Sequence, residues 1–125
     1  MTVLSLIAVV DDDSSVRMAL GRLLRSAGLA VRMYDSGDAL LAEPQLADID
    51  CVVSDIRMPG ATGFDLFDAL RQRGLPVPMI LMTAFAKGGD EDRARLSGSA
   101  CFLQKPFTEA ELMHCIHESL ARRCR

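Results

Sequence analysis

Five short apolar runs, each followed by a segment with helical spacing, constrain the fold of this chain more than any other feature. Residues 6–10, Leu-Ile-Ala-Val-Val, are continuously apolar and stop at Asp11, Asp12 and Asp13. Val16, Ala19, Leu20, Leu23, Leu24 and Ala27 then recur at offsets that form one apolar stripe on a helix. Gly28 supplies the stop. Residues 30–34 read as a second strand and 36–43 as a short helix ended by Pro44. Residues 51–54 form a third strand, terminated by Asp55, and the Met-Pro-Gly-Ala-Thr-Gly stretch at 58–63 is a loop. Thr62 with Asp65 predicts a cap for the next helix, which carries Phe64, Phe67 and Leu70 and is broken by Gly74, Pro76 and Pro78. Residues 79–82 form a fourth strand ending at Thr83, and 101–103 a fifth. Thr108 and Glu111 predict a capping box for the last helix, which turns Leu112, Met113, Ile116 and Leu120 inward. Residues 86–98 are polar with few core anchors, so a short, mobile helix is expected over 90–96.

Strands that alternate with helices imply a parallel sheet covered on both faces. Right-handed crossovers make it a doubly wound α/β sandwich with five strands and five helices. A chain of 125 residues has the size of a single domain. It buries roughly two-thirds of its unfolded surface, so it needs neither disulfide nor metal to fold. In such a sheet ligands bind beyond the carboxyl ends of the strands, where strand order reverses.

Four of the five predicted strands deliver a reactive polar residue to that rim. The first ends in Asp11 and Asp12, the third in Asp55, the fourth in Thr83, and the fifth is followed by Gln104 and Lys105. Two unit charges about 4 Å apart repel by roughly 1 kcal/mol in water and about 4 kcal/mol at an effective dielectric of 20. Three carboxylates therefore need positive charge. Lys105 brings one unit, and a hard divalent cation such as Mg²⁺ (or Mn²⁺), which suits carboxylates, waters and phosphate oxygens, would bring two.

The net charge of -3 argues against direct nucleic-acid or anionic-membrane contact by this domain. The first apolar run is too short for a membrane span and lacks the basic start of a signal peptide, so a cytoplasmic location is expected. Cys51, Cys101, Cys115 and Cys124 form no C-x-x-C pair and are read as reduced thiols. His114 and His117, three apart on the last helix, are too few for a metal site and are read as surface groups.

The sequence resembles a response-regulator receiver domain of two-component signalling, nearest the FixJ-like group. Val9-Val10-Asp11-Asp12-Asp13, Ser54-Asp55-Ile56-Arg57-Met58-Pro59-Gly60, Met82-Thr83-Ala84 and Phe102-Leu103-Gln104-Lys105-Pro106-Phe107 carry the resemblance, in order and in spacing. It covers nearly the whole chain. It implies the flavodoxin-like receiver fold with strand order 2-1-3-4-5. It also implies phosphorylation of Asp55 from a phosphohistidine on a sensor histidine kinase or phosphotransfer protein. Asp12 matches the direct Mg²⁺ ligand, Asp11 one acting through water, and the backbone carbonyl of Arg57 the third protein ligand. Thr83 and Lys105 match residues that hold phosphoryl oxygens. Thr83 and Phe102 match a switch pair that reports to helix 4, strand 5 and helix 5, and Lys105-Pro106 matches a bond often cis. A DNA-binding output domain on a longer parent chain and homodimerisation on phosphorylation are further family expectations. The domain itself is expected to be a switch, not an enzyme.

Some positions depart from the family pattern. Phe102 stands where many relatives have tyrosine, so any readout there rests on packing. Phe85, two beyond Thr83, is bulky and is expected to shield the acyl phosphate. The competing reading is a receiver-like interaction module independent of phosphorylation, against which the full set Asp11, Asp12, Asp55, Thr83 and Lys105 argues. An aspartyl phosphohydrolase expects an acid where Arg57 stands. A flavin protein expects a phosphate-cradling loop where three aspartates stand.

Overall fold

A computed structural model describes residues 4–84, 88–98 and 101–123. Its strands are β1 (Leu6–Val10), β2 (Ala30–Tyr34), β3 (Cys51–Asp55), β4 (Met79–Thr83) and β5 (Cys101–Gln104). Its helices are α1 (Ser14–Ser26), α2 (Gly37–Leu41), α3 (Gly63–Gln72), α4 (Asp90–Ser97) and α5 (Glu109–Arg123). A 3₁₀ turn, Leu46–Asp48, precedes β3. The sheet is parallel throughout, in the order β2-β1-β3-β4-β5. Strand order reverses at β1, so the crevice between β1 and β3 is the switch point anticipated for ligands.

The sheet sorts its own side chains into two layers because successive strand residues point to opposite faces. Ala8, Val10, Val52, Met79 and Leu81 pack with Leu66, Phe67 and Leu70 of α3, and Phe102 is half-buried against this cluster. Ile7, Val9, Cys51, Val53, Ile80 and Met82 pack with Leu20 and Leu24 of α1 and with Leu112 and Ile116 of α5. β1, β3 and β4 are buried almost end to end, which explains why they read as unbroken apolar runs.

The helix starts follow the local chemistry. Asp13 caps α1 by accepting from the N–H groups of Ser15 and Val16. Thr62 and Asp65 form a reciprocal capping box on α3, at 3.2 and 2.9 Å. Thr108 and Glu111 do the same at the start of α5, both at 3.1 Å. Thr62→Ala removes one of these caps and is expected to cost about 1 kcal/mol, read as a lowered denaturant midpoint.

Three expectations need correction. Ala19 and Ala27 are exposed, so the apolar stripe of α1 is narrower than its sequence offsets imply, and buried Gly21 lets Met33 approach in their place. The helix expected over 36–43 spans only Gly37–Leu41. Glu43 lies beyond it and accepts a hydrogen bond from Tyr34 Oη at 2.9 Å. The cysteines are not all reduced thiols: Cys101 and Cys115 are joined in a disulfide, with Cα atoms 5.8 Å apart. They lie fourteen residues apart and meet because α5 folds back over β5. Cys51 is free and buried, and burial pushes its thiol up to about 12. Cys124 and Phe85 lie outside the described residues.

Candidate functional site

The carboxyl ends of β1 and β3 are adjacent in register, Val10 facing Ser54, so the residues that follow them share one crevice. The carboxylates of Asp11, Asp12 and Asp55 offer oxygens that all lie within 4.8 Å of one another. Asp11 is fully buried, Asp55 nearly so, and Asp12 is exposed. The two buried carboxylates are held in place. Asp11 Oδ1 accepts from the Asp13 N–H at 2.9 Å, and Asp55 Oδ1 accepts from the Arg57 N–H at 3.1 Å. Arg17 reaches back from α1 and donates to the Asp11 carbonyl at 2.6 Å.

Lys105 enters from the far end of the sheet. Its Nζ lies 3.1 Å from Asp11 Oδ2 and 3.4 Å from Asp55 Oδ2, bridging two of the three acids. The loop after β5 delivers it: the Lys105 N–H donates to the Thr83 carbonyl at 2.8 Å, and the Lys105–Pro106 peptide is cis, as expected. Thr83 ends β4 one register step beyond Asp55, which pairs with Met82, and it is fully buried.

The electrostatics follow from this packing. Burial pushes the Asp55 carboxyl above the ordinary aspartate range. Lys105 opposes that, the charge of Asp11 adds to it, and the Arg57 N–H favours the ionised form. Burial alone would lower Lys105, but its hydrogen bond to Asp11 and the charges of Asp11 and Asp55 outweigh that and hold the ammonium above its usual value. One ammonium among three carboxylates leaves the pocket negative. Mg²⁺ coordinates at about 2.0–2.1 Å, so oxygens on one cation sit about 3–4 Å apart. The three acids, with oxygens within 4.8 Å of one another, lie close to that spacing. The donor set, oxygen only and acidic, fits a hard divalent cation.

Asp11, Asp12, Asp55 and Lys105 thus reach the same rim, where Thr83 ends the neighbouring strand, and Phe102 does not. That ring lies on β5 beside Leu81, facing the α3 layer, and is half-buried. His114 and His117 are exposed on α5, far in sequence from these acids, and His114 pairs with Glu118 at 3.4 Å. Sequence reasoning missed Asp90. It is buried at the start of α4 and bonds the Arg57 guanidinium at 2.5 Å. Its sequence signal, an acid in a first helical turn, is the same as that of an ordinary solvated helix start.

An open parallel sandwich with acids and a lysine gathered at its switch point defines the class as doubly wound α/β domains. The chain belongs to the response regulator receiver domain family, whose model matches residues 7–117. It is 40% identical over 114 residues to the transcriptional regulatory protein FixJ of Azorhizobium caulinodans, covering 91% of this chain and 54% of that protein. It is 37% identical to the C4-dicarboxylate transport transcriptional regulatory protein DctR of Rhodobacter capsulatus, covering 90% and 58%. The crystal structure of FixJ-N superposes with a TM-score of 0.86 at 28% identity, covering 97% of this chain and 96% of that one. The chain spans a little over half the length of these two curated relatives. Among the described residues no helix is long and apolar enough to cross a membrane.

Proposed function

We propose that this receiver domain accepts a phosphoryl group on Asp55 from the phosphohistidine of a sensor histidine kinase or phosphotransfer protein. The observation that carries the reading is the convergence of three carboxylates within 4.8 Å, two of them bridged by Lys105. Asp11, Asp12, Asp55 and the Arg57 carbonyl would hold Mg²⁺ (or Mn²⁺), which when bound supplies positive charge for the phosphoryl oxygens. An Asp55 carboxylate oxygen forms the new bond to phosphorus as the donor's nitrogen–phosphorus bond breaks. Such transfer depends on positioning and charge stabilisation, so the chain need only aim Asp55 and neutralise the oxygens. Lys105 serves as the fixed cation, and Thr83 supplies a hydroxyl at the same rim. Drawing Thr83 toward the phosphoryl group opens room for Phe102 to turn inward, altering the face formed by α4, β5 and α5. The domain is a switch and not an enzyme. Its readers are a DNA-binding output domain on a longer cytoplasmic protein, or a second copy of the domain.

Intact mass after incubation with acetyl phosphate, with and without Mg²⁺, tests this. A gain of one phosphoryl group only with Mg²⁺ is expected. No gain together with no Mg²⁺ binding would favour an interaction module that works without phosphorylation.

The raised Asp55 carboxyl adds a pH signature. A protonated Asp55 neither attacks phosphorus nor holds a cation, and its proton persists to higher pH than on an ordinary aspartate. Mg²⁺ affinity, measured by calorimetry, is therefore expected to begin falling on acidification at a pH above the usual aspartate range. A titration that starts only within that range would contradict the raised Asp55 carboxyl, and no loss of affinity on acidification would contradict Asp55 as a ligand.

A further inference from the structure

The fourth helix has little apolar grip on the rest of the protein. Surface helices ordinarily dock through an apolar stripe about 100° wide. Among the described side chains of α4 only Asp90 and Ala94 are buried, and Leu96 is 86% exposed. Two further attachments among the described residues involve charge. The Arg93 guanidinium lies over the Phe64 ring of α3, 4.2 Å from its centroid. Asp90 pairs with Arg57 at 2.5 Å. A carboxylate this buried needs compensating charge, and Arg57 supplies it at the point where α4 docks.

Arg57 links this docking to the acceptor. Its main-chain N–H holds Asp55 Oδ1 while its side chain holds α4. Its Nε is buried with no hydrogen-bond partner among the described residues, while the side chain as a whole is 37% exposed, so Asp90 fixes the direction of a guanidinium that could otherwise turn outward to water. Removing either partner of this half-buried pair takes away charge that stabilises the other, and so weakens the arrangement that brings the loop and the helix together.

We infer that Asp90 is a positioning residue: through the Arg57 guanidinium it seats the loop after Asp55, and the same ion pair docks the first turn of α4. The position of α4 and the geometry at Asp55 are then coupled by a route separate from Thr83 and Phe102. The coupling to metal and phosphoryl rests on the function proposed above; the seating of the loop does not.

Amide hydrogen exchange by NMR in Mg²⁺-free protein tests the seating, using Asp90→Asn, Arg57→Gln and the double variant. Each single substitution is expected to speed exchange across the pair by roughly threefold or more: Asp90→Asn at the Arg57 amide, Arg57→Gln along α4. The double variant should resemble a single one. Effects confined to the substituted segment would overturn the inference. Mg²⁺ affinity of the same variants tests the coupling. Loss of a positioned loop weakens binding in both singles. Long-range charge alone would weaken it in Asp90→Asn but strengthen it in Arg57→Gln, and that opposite pattern would overturn the coupling. Absence of Mg²⁺ binding by the unmodified protein would instead sink the phosphoacceptor reading, while the metal-free exchange still decides the seating.

Discussion

Asp55→Asn is expected to abolish the phosphoryl gain from acetyl phosphate. An amide oxygen is a poor nucleophile, and the substitution also removes one of the three clustered carboxylates. The two side chains have nearly the same shape, so the fold should survive, and circular dichroism checks that. The direction of any stability change is also set. The folded environment disfavours ionised Asp55, chiefly through burial and with Asp11 adding to it, although Lys105 opposes them. A neutral isostere avoids that cost, so the metal-free variant is expected to unfold at a slightly higher denaturant concentration than the parent. Full labelling of Asp55→Asn at the parent's rate would show that another residue accepts the phosphoryl group.

Gly63→Ala is expected to be the most damaging of the single-methyl changes near the site, at about 2–3 kcal/mol. The reason is space, since the Gly63 backbone is not in the left-handed region. A methyl there would stand 2.7 Å from the Asp55 carbonyl oxygen, 3.0 Å from Leu81 Cδ2 and 3.1 Å from Ile56 Cα. Two of those neighbours are backbone, and neither can retreat easily. The Ile56 N–H is bonded to the Met82 carbonyl at 2.8 Å, and the Gly63 N–H to the Ile56 carbonyl at 3.0 Å. Relief requires pulling the start of α3 away from the end of β3, which disturbs the strand end carrying Asp55. Urea unfolding should show a midpoint lower by roughly 1–2 M. Gly37→Ala is the control. Its methyl would meet only side-chain atoms at 3.6–3.7 Å, ordinary contact. Alanine gains up to about 1 kcal/mol over glycine inside a helix, so this variant should match or exceed the parent. Equal losses in both would mean that helix-start glycines matter here for some reason other than the close approach to Asp55.

The route from Asp55 to α4 separates two kinds of signal. Thr83 and Phe102 lie on neighbouring strands, with Phe102 beside Leu81. The switch proposed for them depends on a ring moving into a packed layer. Arg57 and Asp90 form a polar pair that spans thirty-three residues of sequence. A helix docked by charge can be released by a change in charge, whereas one docked by leucines cannot.

The pattern of apolar runs sufficed for the strands, their parallel arrangement and the rim on which Asp11, Asp12, Asp55, Thr83 and Lys105 meet. These are consequences of local periodicity, of caps such as Thr62–Asp65 and Thr108–Glu111, and of a topology that sends every strand's carboxyl end to one side. The strand order and the residue roles came from resemblance to a family, not from periodicity. Only the tertiary structure decided which residues meet across elements. Cys101 joins Cys115 because α5 returns over β5, and nothing in their spacing announces it. Ala19 is apolar and at the right helical offset yet exposed, because the layer under α1 is filled by Leu20 and Leu24. Asp90 reads in sequence as a solvated acid but is buried, because Arg57 arrives from the loop after β3 to neutralise it. Burial of a charge depends on a partner brought by the fold, whereas periodicity records only the neighbours within an element.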